Sequence, residues 1–215
     1  MKLYSYFRSS ASYRVRIALN LKGLDYEYAA VHLRRGGGEH RSADYRALNP
    51  QALVPTLVDG ERVLTQSLAI IEYLEETHPQ PPLLPAAPAD RAHVRALAQL
   101  VACEIHPLNN LRVLGYLTGE LGVSEEAKNR WYRHWVALGL QALEAQLARD
   151  PRTGRFCFGD APGLADCCLV PQLANARRFE CDLSGYPTLT RIERACLELP
   201  AFQRAAPGAQ PDAEA

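Results

Sequence analysis

The sequence predicts an α/β domain with a mixed four-stranded sheet, followed by an all-α domain. Three observations support this fold class. The first eighty residues alternate short strand patterns with helical periods. Five of the fifteen prolines lie between Pro79 and Pro88, which indicates a stiff linker. The chain beyond the linker has helical periodicity, so we predict domains at 1–80 and 88–206 and a disordered tail at 207–215.

The elements of the first domain follow from apolar patterning and turn residues. A β-α-β order implies two parallel strands, and Asp59-Gly60 between two apolar runs predicts an antiparallel hairpin. The polar stretch 33–42, with three consecutive glycines, predicts an exposed flexible loop. In order, we expect a strand at 2–6, a helix at 12–22, a strand at 26–31, hairpin strands at 55–58 and 62–65, and a helix from Ser67.

The second domain is predicted to contain four long helices, at about 90–121, 124–149, 164–180 and 188–198. Pro107 lacks a backbone donor and is expected to bend the first of them. Gly163 occupies the cap position of the third helix, and Asp166 is placed to accept a hydrogen bond from a free N–H there.

Composition excludes several functional classes. Lys plus Arg and Asp plus Glu both number 24, so nothing suggests nucleic acid or an anionic membrane as a partner. We expect no signal peptide and no membrane span. The six cysteines form no C-x-x-C pair, which favours free thiols in a reducing cytoplasm and argues against a metal site.

Two predicted helix N-termini carry polar residues suited to an anion. Arg8 to Leu19 spans the end of the first strand and the start of the first helix, where unpaired N–H groups and serine hydroxyls would stabilise a thiolate. Ser67 opens another helix, which suits a carboxylate. Each serine could instead be a plain helix cap, and Pro55 a plain strand start.

The run Ser9-Ser10-x-Ser12-x-Arg14-Val15-Arg16-Ile17-Ala18-Leu19 resembles the zeta class of glutathione transferases. The resemblance spans nearly the whole chain, because it continues through Leu48-Asn49-Pro50, Val54-Pro55, Gln66-Ser67, the run from Ile105 to Arg112, and Leu164-Ala165-Asp166. It implies the glutathione transferase fold, with a thioredoxin-like first domain, glutathione as cofactor and a homodimer.

The resemblance also implies residue roles, with Ser9, Ser10 and Arg8 as catalytic residues. Glutathione would be held by Ser9, Ser10, Ala11, His40, Val54 in a cis bond with Pro55, Gln66, Ser67, His106, Asn110 and Arg112. Arg8, Arg112 and Arg178 would bind substrate carboxylates. Ala11 replaces a cysteine that many zeta members carry, so glutathione must supply the sulfur.

Spacing adds a second expectation for the predicted first helix of the second domain. His106 and Asn110 are four residues apart, and Asn109 and Arg112 are three apart, so each pair would share a helical face. We interpret this cluster as a polar wall of the glutathione cleft. A surface or core histidine and solvated arginines are the simpler alternatives.

The implied activity is cis–trans isomerisation of a conjugated dicarboxylate, maleylacetoacetate to fumarylacetoacetate, in the breakdown of aromatic compounds. Thiolate addition would make the double bond single, and expulsion after rotation would return glutathione unchanged. Maleylpyruvate is the alternative substrate. General glutathione conjugation or dehalogenation, and a non-catalytic module, are the rival functions. A thiol exchanger is disfavoured, because no cysteine opens the first helix.

Overall fold

A computed structural model describes residues 1–214 of the chain as two compact units. The first unit comprises Met1–Leu83 together with the chain from Leu197 onward, and the second comprises Leu84–Cys196. The predicted second domain extended to residue 206, whereas the structure assigns the segment after Cys196 to the first unit.

The first unit is built on a mixed four-stranded sheet in the order β2-β1-β3-β4. β1 pairs in parallel with β2 and antiparallel with β3, which pairs antiparallel with β4. The predicted mixed sheet and the hairpin at Asp59-Gly60 are confirmed. The strands are β1 (Lys2–Ser5), β2 (Glu27–Ala30), β3 (Thr56–Asp59) and β4 (Arg62–Thr65).

Helix α1 (Ser10–Leu21) carries a buried arginine that connects three parts of this unit. The Arg16 side chain is fully buried, and burial lowers its pKa. Its guanidinium donates to backbone carbonyls at the end of β1 and near the C-terminus, which fixes both relative to α1. The acceptors are Ala205 O at 3.0 Å, Ser5 Oγ at 3.1 Å, Tyr6 O at 3.3 Å and Phe7 O at 3.0 Å.

The first unit contains four α-helices, two of which the sequence pattern did not predict. The short helices α2 and α9 cover only six residues each, too few for a clear helical period. The helices are α1 (Ser10–Leu21), α2 (Ala43–Leu48), α3 (Ser67–Thr77) and α9 (Pro200–Ala205).

The stretch 33–42 is more ordered than the exposed flexible loop that we predicted. It forms two 3₁₀ turns, Arg35–Gly37 and Glu39–Arg41, and the side chain of His40 is buried. Gly38 has φ of 105°, and a Cβ there would lie 2.4 Å from His40 Cε1 and 2.9 Å from Leu33 O. The glycine therefore permits close packing at this turn, whereas the three consecutive glycines in the sequence had suggested a flexible loop.

The second unit is helical, but its predicted first helix, 90–121, is interrupted. A π-helix at Leu100–Ile105 and a 3₁₀ turn at Pro107–Asn109 separate α4 from α5. Pro107 has no N–H to continue the helix, so the chain bends and restarts at Leu111. The helices are α4 (Pro88–Gln99), α5 (Leu111–Gly119), α6 (Glu125–Arg149), α7 (Leu164–Arg178) and α8 (Pro187–Leu197).

The start of α7 is held by a buried carboxylate, as predicted. Asp166 Oδ2 accepts the N–H of Gly163 at 2.8 Å, and Oδ1 accepts the N–H of Cys157 at 2.9 Å. Gly163 has no hydroxyl to cap the helix, so Asp166 provides the reciprocal half of a capping box and also fixes the loop before it.

The segment after α9 is not disordered up to Glu214, contrary to our prediction. Gln210 is buried, and its Nε2 donates to the carbonyls of Arg204 and Ala206 at 2.8 and 2.9 Å. Small polar composition suggested disorder, but specific hydrogen bonds order this segment. Ala215 lies outside the described residues.

Three further features bear on function. All six cysteines are free thiols, four of them buried. No helix among residues 1–214 combines the length and apolar character needed to cross a bilayer. The same residues contain no group of three or more His, Cys, Asp or Glu side chains placed to hold a metal ion.

Candidate active site

The N-terminus of α1 presents a serine-rich first turn. Ser9 is the N-cap, and its Oγ accepts the N–H of Ser12 at 3.2 Å. Within the described residues, the N–H of Ala11 has no acceptor, and Ser10 is 5% exposed. Ser9 therefore does act as a cap, yet the first turn keeps an open donor at the positive end of the helix dipole.

A hydrogen bond joins this motif to the second predicted anion site. Arg14 is 2% exposed, and its Nη1 donates to Ser67 Oγ at 3.2 Å. Ser67 is the first residue of α3, so one buried guanidinium joins the N-terminal part of α1 to the N-terminus of α3, through two residues that lie 53 positions apart in sequence. A cation between two such ends reinforces their attraction for an anionic ligand.

Gln66 precedes α3 in an unusual backbone conformation. Its φ is 69°, a left-handed value that costs a non-glycine residue free energy and is common at ligand sites. The side chain donates from Nε2 to Gln51 Oε1 at 2.8 Å. Gln66 therefore immediately precedes α3, and its side-chain amide is hydrogen-bonded to Gln51 and not to the backbone of the helix.

The Val54–Pro55 bond is cis, as the resemblance implied, and it immediately precedes β3. No hydrogen bond within residues 1–214 uses the backbone N–H or C=O of Val54. Asn49 Nδ2 and Tyr45 OH both donate to Leu53 O, at 2.8 and 2.7 Å, which fixes the chain entering this turn. The backbone of Val54 is thus held in place with its polar groups available.

His40 lies against the packed turn that Gly38 permits. Burial, with the nearby charges of Arg41 and Arg46, lowers the pKa of His40, so its imidazole is neutral at pH 7. Its Nδ1 is buried and forms no hydrogen bond within the described residues. A neutral imidazole can accept or donate one hydrogen bond to a ligand through the other nitrogen.

Arg8 follows β1 and remains partly exposed. Its guanidinium carbon lies 4.8 Å from the centre of the Phe7 ring, and Nη2 lies 3.8 Å from Glu214 Oε2. The side chains of Arg8 and Glu214 are 36% and 44% exposed. The guanidinium is therefore accessible to an anion at the strand end that leads into α1.

In the second unit, the helical spacing argument for the His106 cluster is wrong. Asn110 is extended, with φ −65° and ψ 146°, and its side chain caps α5 by accepting the N–H of Arg112 at 3.1 Å. Asn109 Nδ2 donates to Tyr132 O at 3.4 Å. The break after His106 removes the i, i+4 relation on which the shared face depended.

The two adjacent arginines at the end of α7 differ in their partners. Arg177 forms a bidentate salt bridge with the buried Glu193, which connects α7 to α8. Arg178 is exposed, and its guanidinium carbon lies 5.0 Å from the centre of the Phe179 ring. Arg178 also forms a side-chain hydrogen bond with Tyr132, whose pKa burial raises to about 12.

Sequence reasoning missed three contributors to this site. It assigned no role to Arg14 or Asn49, although both belong to the motifs of the family resemblance. The sequence does not show whether a polar residue in such a motif is buried. It missed Glu214 because no pattern links a distant carboxylate to Arg8. The one available signal was the row of small or apolar residues on the helical face of Arg14, namely Ser10, Ala11, Ile17 and Ala18.

Comparison with known proteins identifies the family of this chain. A family profile described as the N-terminal domain of glutathione S-transferase matches residues 3–82, and one for the C-terminal domain matches 129–207. A Vibrio cholerae relative named probable maleylacetoacetate isomerase is 57% identical over 211 residues, covering 98% of this chain and 97% of its own.

Two solved structures are also similar over their full lengths. A holo maleylpyruvate isomerase, described as a bacterial zeta-class glutathione S-transferase, is 56% identical with a TM-score of 0.97, and each chain is covered completely. Maleylacetoacetate isomerase from Anaeromyxobacter dehalogenans 2CP-1, with dicarboxyethyl glutathione and citrate in its active site, is 47% identical with a TM-score of 0.86, covering 100% of this chain and 97% of its own. The chain therefore belongs to the glutathione S-transferase family, in its zeta class.

Proposed function

We propose that this protein is a glutathione-dependent cis–trans isomerase that converts maleylacetoacetate to fumarylacetoacetate. The observation that carries the proposal is the buried hydrogen bond from Arg14 to Ser67, which places two anion-attracting helix ends in one site of the first unit. Glutathione carries a thiol and a γ-glutamyl carboxylate, so a site with two such ends suits it.

The residues of the first unit fit glutathione by their chemistry. Ser9, Ser10 and the open N–H of Ala11 would stabilise a sulfur anion, and Gln66 with Ser67 would hold the γ-glutamyl end. The backbone of Val54, beside Pro55, would pair with the peptide groups, as extended peptides pair with a sheet edge. His40 is assigned to the glycyl end by family resemblance.

The chemistry that glutathione supplies is a thiolate, which adds reversibly to the substrate's carbon–carbon double bond and thereby permits rotation. The protein must then bind an anion with a carboxylate at each end and stabilise negative charge developing beside the reacting carbon. Arg8 and Arg178 are exposed guanidinium groups suited to bidentate carboxylate pairing.

The second unit would contribute His106, Asn110 and Arg112 to glutathione or substrate. Arg112 is exposed on the first turn of α5, and Asn110 fixes that turn as its cap. We assign these roles from the family resemblance and the residues' donor chemistry, and not from their spacing, since the helix is broken between His106 and Leu111.

The relatives support two candidate substrates. The Vibrio cholerae relative, at 57% identity, is named probable maleylacetoacetate isomerase. The zeta-class structure with a TM-score of 0.97, at 56% identity, is named maleylpyruvate isomerase. These substrates differ in chain length next to one carboxylate. We choose maleylacetoacetate, and a comparison of kcat/KM for the two substrates under identical conditions decides between them.

General glutathione conjugation is the second candidate function, because it needs the same thiolate. The Anaeromyxobacter relative has dicarboxyethyl glutathione bound in its active site, a glutathione that carries a dicarboxylate group, which is compatible with both outcomes. Chromatography with mass spectrometry separates them: an isomerase returns free glutathione, whereas a transferase accumulates a stable thioether.

The proposal is tested by turnover of maleylacetoacetate with and without glutathione. We expect the rate to fall to that of the uncatalysed reaction when glutathione is omitted, because no cysteine stands at the N-terminus of α1 to replace it. S-methylglutathione is the matched control, since it keeps the peptide and lacks the thiol. Turnover without glutathione, or turnover restored by S-methylglutathione, contradicts the proposal.

We also propose that the protein is a cytoplasmic homodimer. The free state of all six cysteines and the zeta-class resemblance support this assignment. Light scattering of the purified protein tests the dimer, with a mass near 24 kDa as the contradicting result, since one chain has 23.8 kDa.

A further inference from the structure

The segment from Gln210 to Glu214, which we call the C-terminal segment, is anchored beside the end of β1. Asp212 Oδ2 accepts the N–H of Phe7 at 3.1 Å, and Oδ1 accepts the hydroxyl of Tyr28 at 2.6 Å. Ala213 packs on a buried aromatic cluster that includes Tyr6, Phe7 and Tyr45. The segment therefore has a fixed path next to the residue that follows Phe7, which is Arg8.

A histidine fixes the end of the C-terminal segment. His32 Nδ1 accepts the N–H groups of Arg34 and Arg35 at 3.1 and 2.7 Å, so its Nε2 carries the proton and donates to Glu214 Oε1 at 2.8 Å. This hydrogen bond is the main cause of the lowered pKa of Glu214, which keeps the carboxylate ionised at neutral pH.

The second oxygen of this carboxylate faces a guanidinium. Glu214 Oε2 lies 3.8 Å from Arg8 Nη2, and no other carboxylate among residues 1–214 pairs with Arg8. At 3.8 Å the pair has charge attraction without a hydrogen bond, so the guanidinium keeps its donors for another anion. A carboxylate at this position nevertheless reduces the positive potential that an incoming anion meets.

We propose that Glu214 is an internal counter-ion that competes with a substrate carboxylate for Arg8 and so lowers the affinity of the site for its substrate. This inference rests on the proposed function, because it takes Arg8 to bind a carboxylate of the substrate. Glu214 would weaken the binding of every small anion at Arg8.

The test is Glu214→Gln, which keeps the side chain's size and its acceptor for His32 and removes the charge. At low ionic strength, KM for maleylacetoacetate should fall about two- to fivefold, the range expected for an exposed ion pair. KM for glutathione and kcat should stay within about twofold, and the difference should shrink as salt is added. An unchanged or raised KM for maleylacetoacetate overturns the inference.

Glu27→Gln is the matched control. Glu27 is also an exposed carboxylate of the first unit in an ion pair, with Lys2 at 2.8 Å, but it lies at the opposite end of β1 from Arg8. Its substitution should leave KM for maleylacetoacetate unchanged. An equal fall in KM for both variants would point to net charge alone and contradict a specific role of Glu214.

Two further measurements separate this inference from the proposed function. Calorimetric binding of malonate to the glutathione-loaded protein should tighten in Glu214→Gln even if no isomerisation is found, in which case only the proposed function fails. In an Arg8→Gln background, the effect of Glu214→Gln should vanish, because the competition acts through Arg8. Persistence of the full effect without Arg8 contradicts the inference.

Discussion

Replacing Arg16 with methionine is expected to lower the free energy of unfolding by roughly 3–5 kcal/mol. Methionine fills part of the volume but donates no hydrogen bond, so the buried carbonyls of Phe7 and Ala205 lose a charged donor. The loss of these hydrogen bonds should also make the chain after β1, which leads to Arg8, more mobile. Urea unfolding followed by far-UV circular dichroism measures the change.

Two variants make the Arg16 result interpretable. Arg16→Lys keeps the charge but cannot reach all of its acceptors, so it should lie between Arg16→Met and the parent. Arg130→Met removes an exposed arginine paired with Glu126 and should change stability by no more than about 0.5 kcal/mol. An Arg16→Met protein as stable as the Arg130→Met control contradicts the role given to Arg16.

Replacing Asp166 with alanine should destabilise the protein by a similar amount, about 3–5 kcal/mol. The substitution leaves two buried donors, the N–H groups of Cys157 and Gly163, without an acceptor and removes the cap of α7. Gly163 cannot compensate, because it has no side chain to cap the helix in its place. Thermal unfolding of the parent and the variant gives the difference.

Asp182→Ala is the matched control for Asp166. Asp182 also accepts a backbone N–H, from Ser184 at 2.9 Å, but it is exposed, and water replaces the lost acceptor. Its loss should cost less than about 1 kcal/mol. Equal destabilisation by the two substitutions would show that burial of the Asp166 carboxylate does not determine its contribution.

Much of the fold follows from local sequence signals. The Asp59-Gly60 turn fixes the β3–β4 hairpin, because its left-handed glycine, with φ of 59°, suits a tight turn between strands. The start of α7 was predicted from Asp166, three residues after Gly163, since a capping box acts within one helical turn. Such signals are local, so a single sequence contains them.

The features that the sequence failed to predict depend on contacts between distant segments. The order of residues 207–214 comes from the partners of Asp212 and Gln210, which are recognisable only after the chain has folded. The break between α4 and α5 was expected at Pro107 as a bend, but the preceding π-helix has no sequence signature that we recognised.

The candidate site, too, was predicted where local signals were sufficient and missed where distant contacts determine the structure. The residues that open α1 and α3 were predicted from helix-start chemistry and family resemblance, whereas their link through Arg14 required the folded structure. The shared face assigned to His106 and Asn110 was wrong, because the spacing argument assumed an unbroken helix. Helical spacing is informative only where the backbone hydrogen bonds continue.

The central claim, that the N-terminus of α1 stabilises the thiolate of bound glutathione, is tested most directly by titrating that thiol. Thiolate absorbance of the protein–glutathione complex, followed against pH and compared with free glutathione, gives the bound pKa. We expect it to lie about one to two units below that of a free thiol, which is near 8.5. A bound thiol that titrates at the same pH as free glutathione contradicts the account.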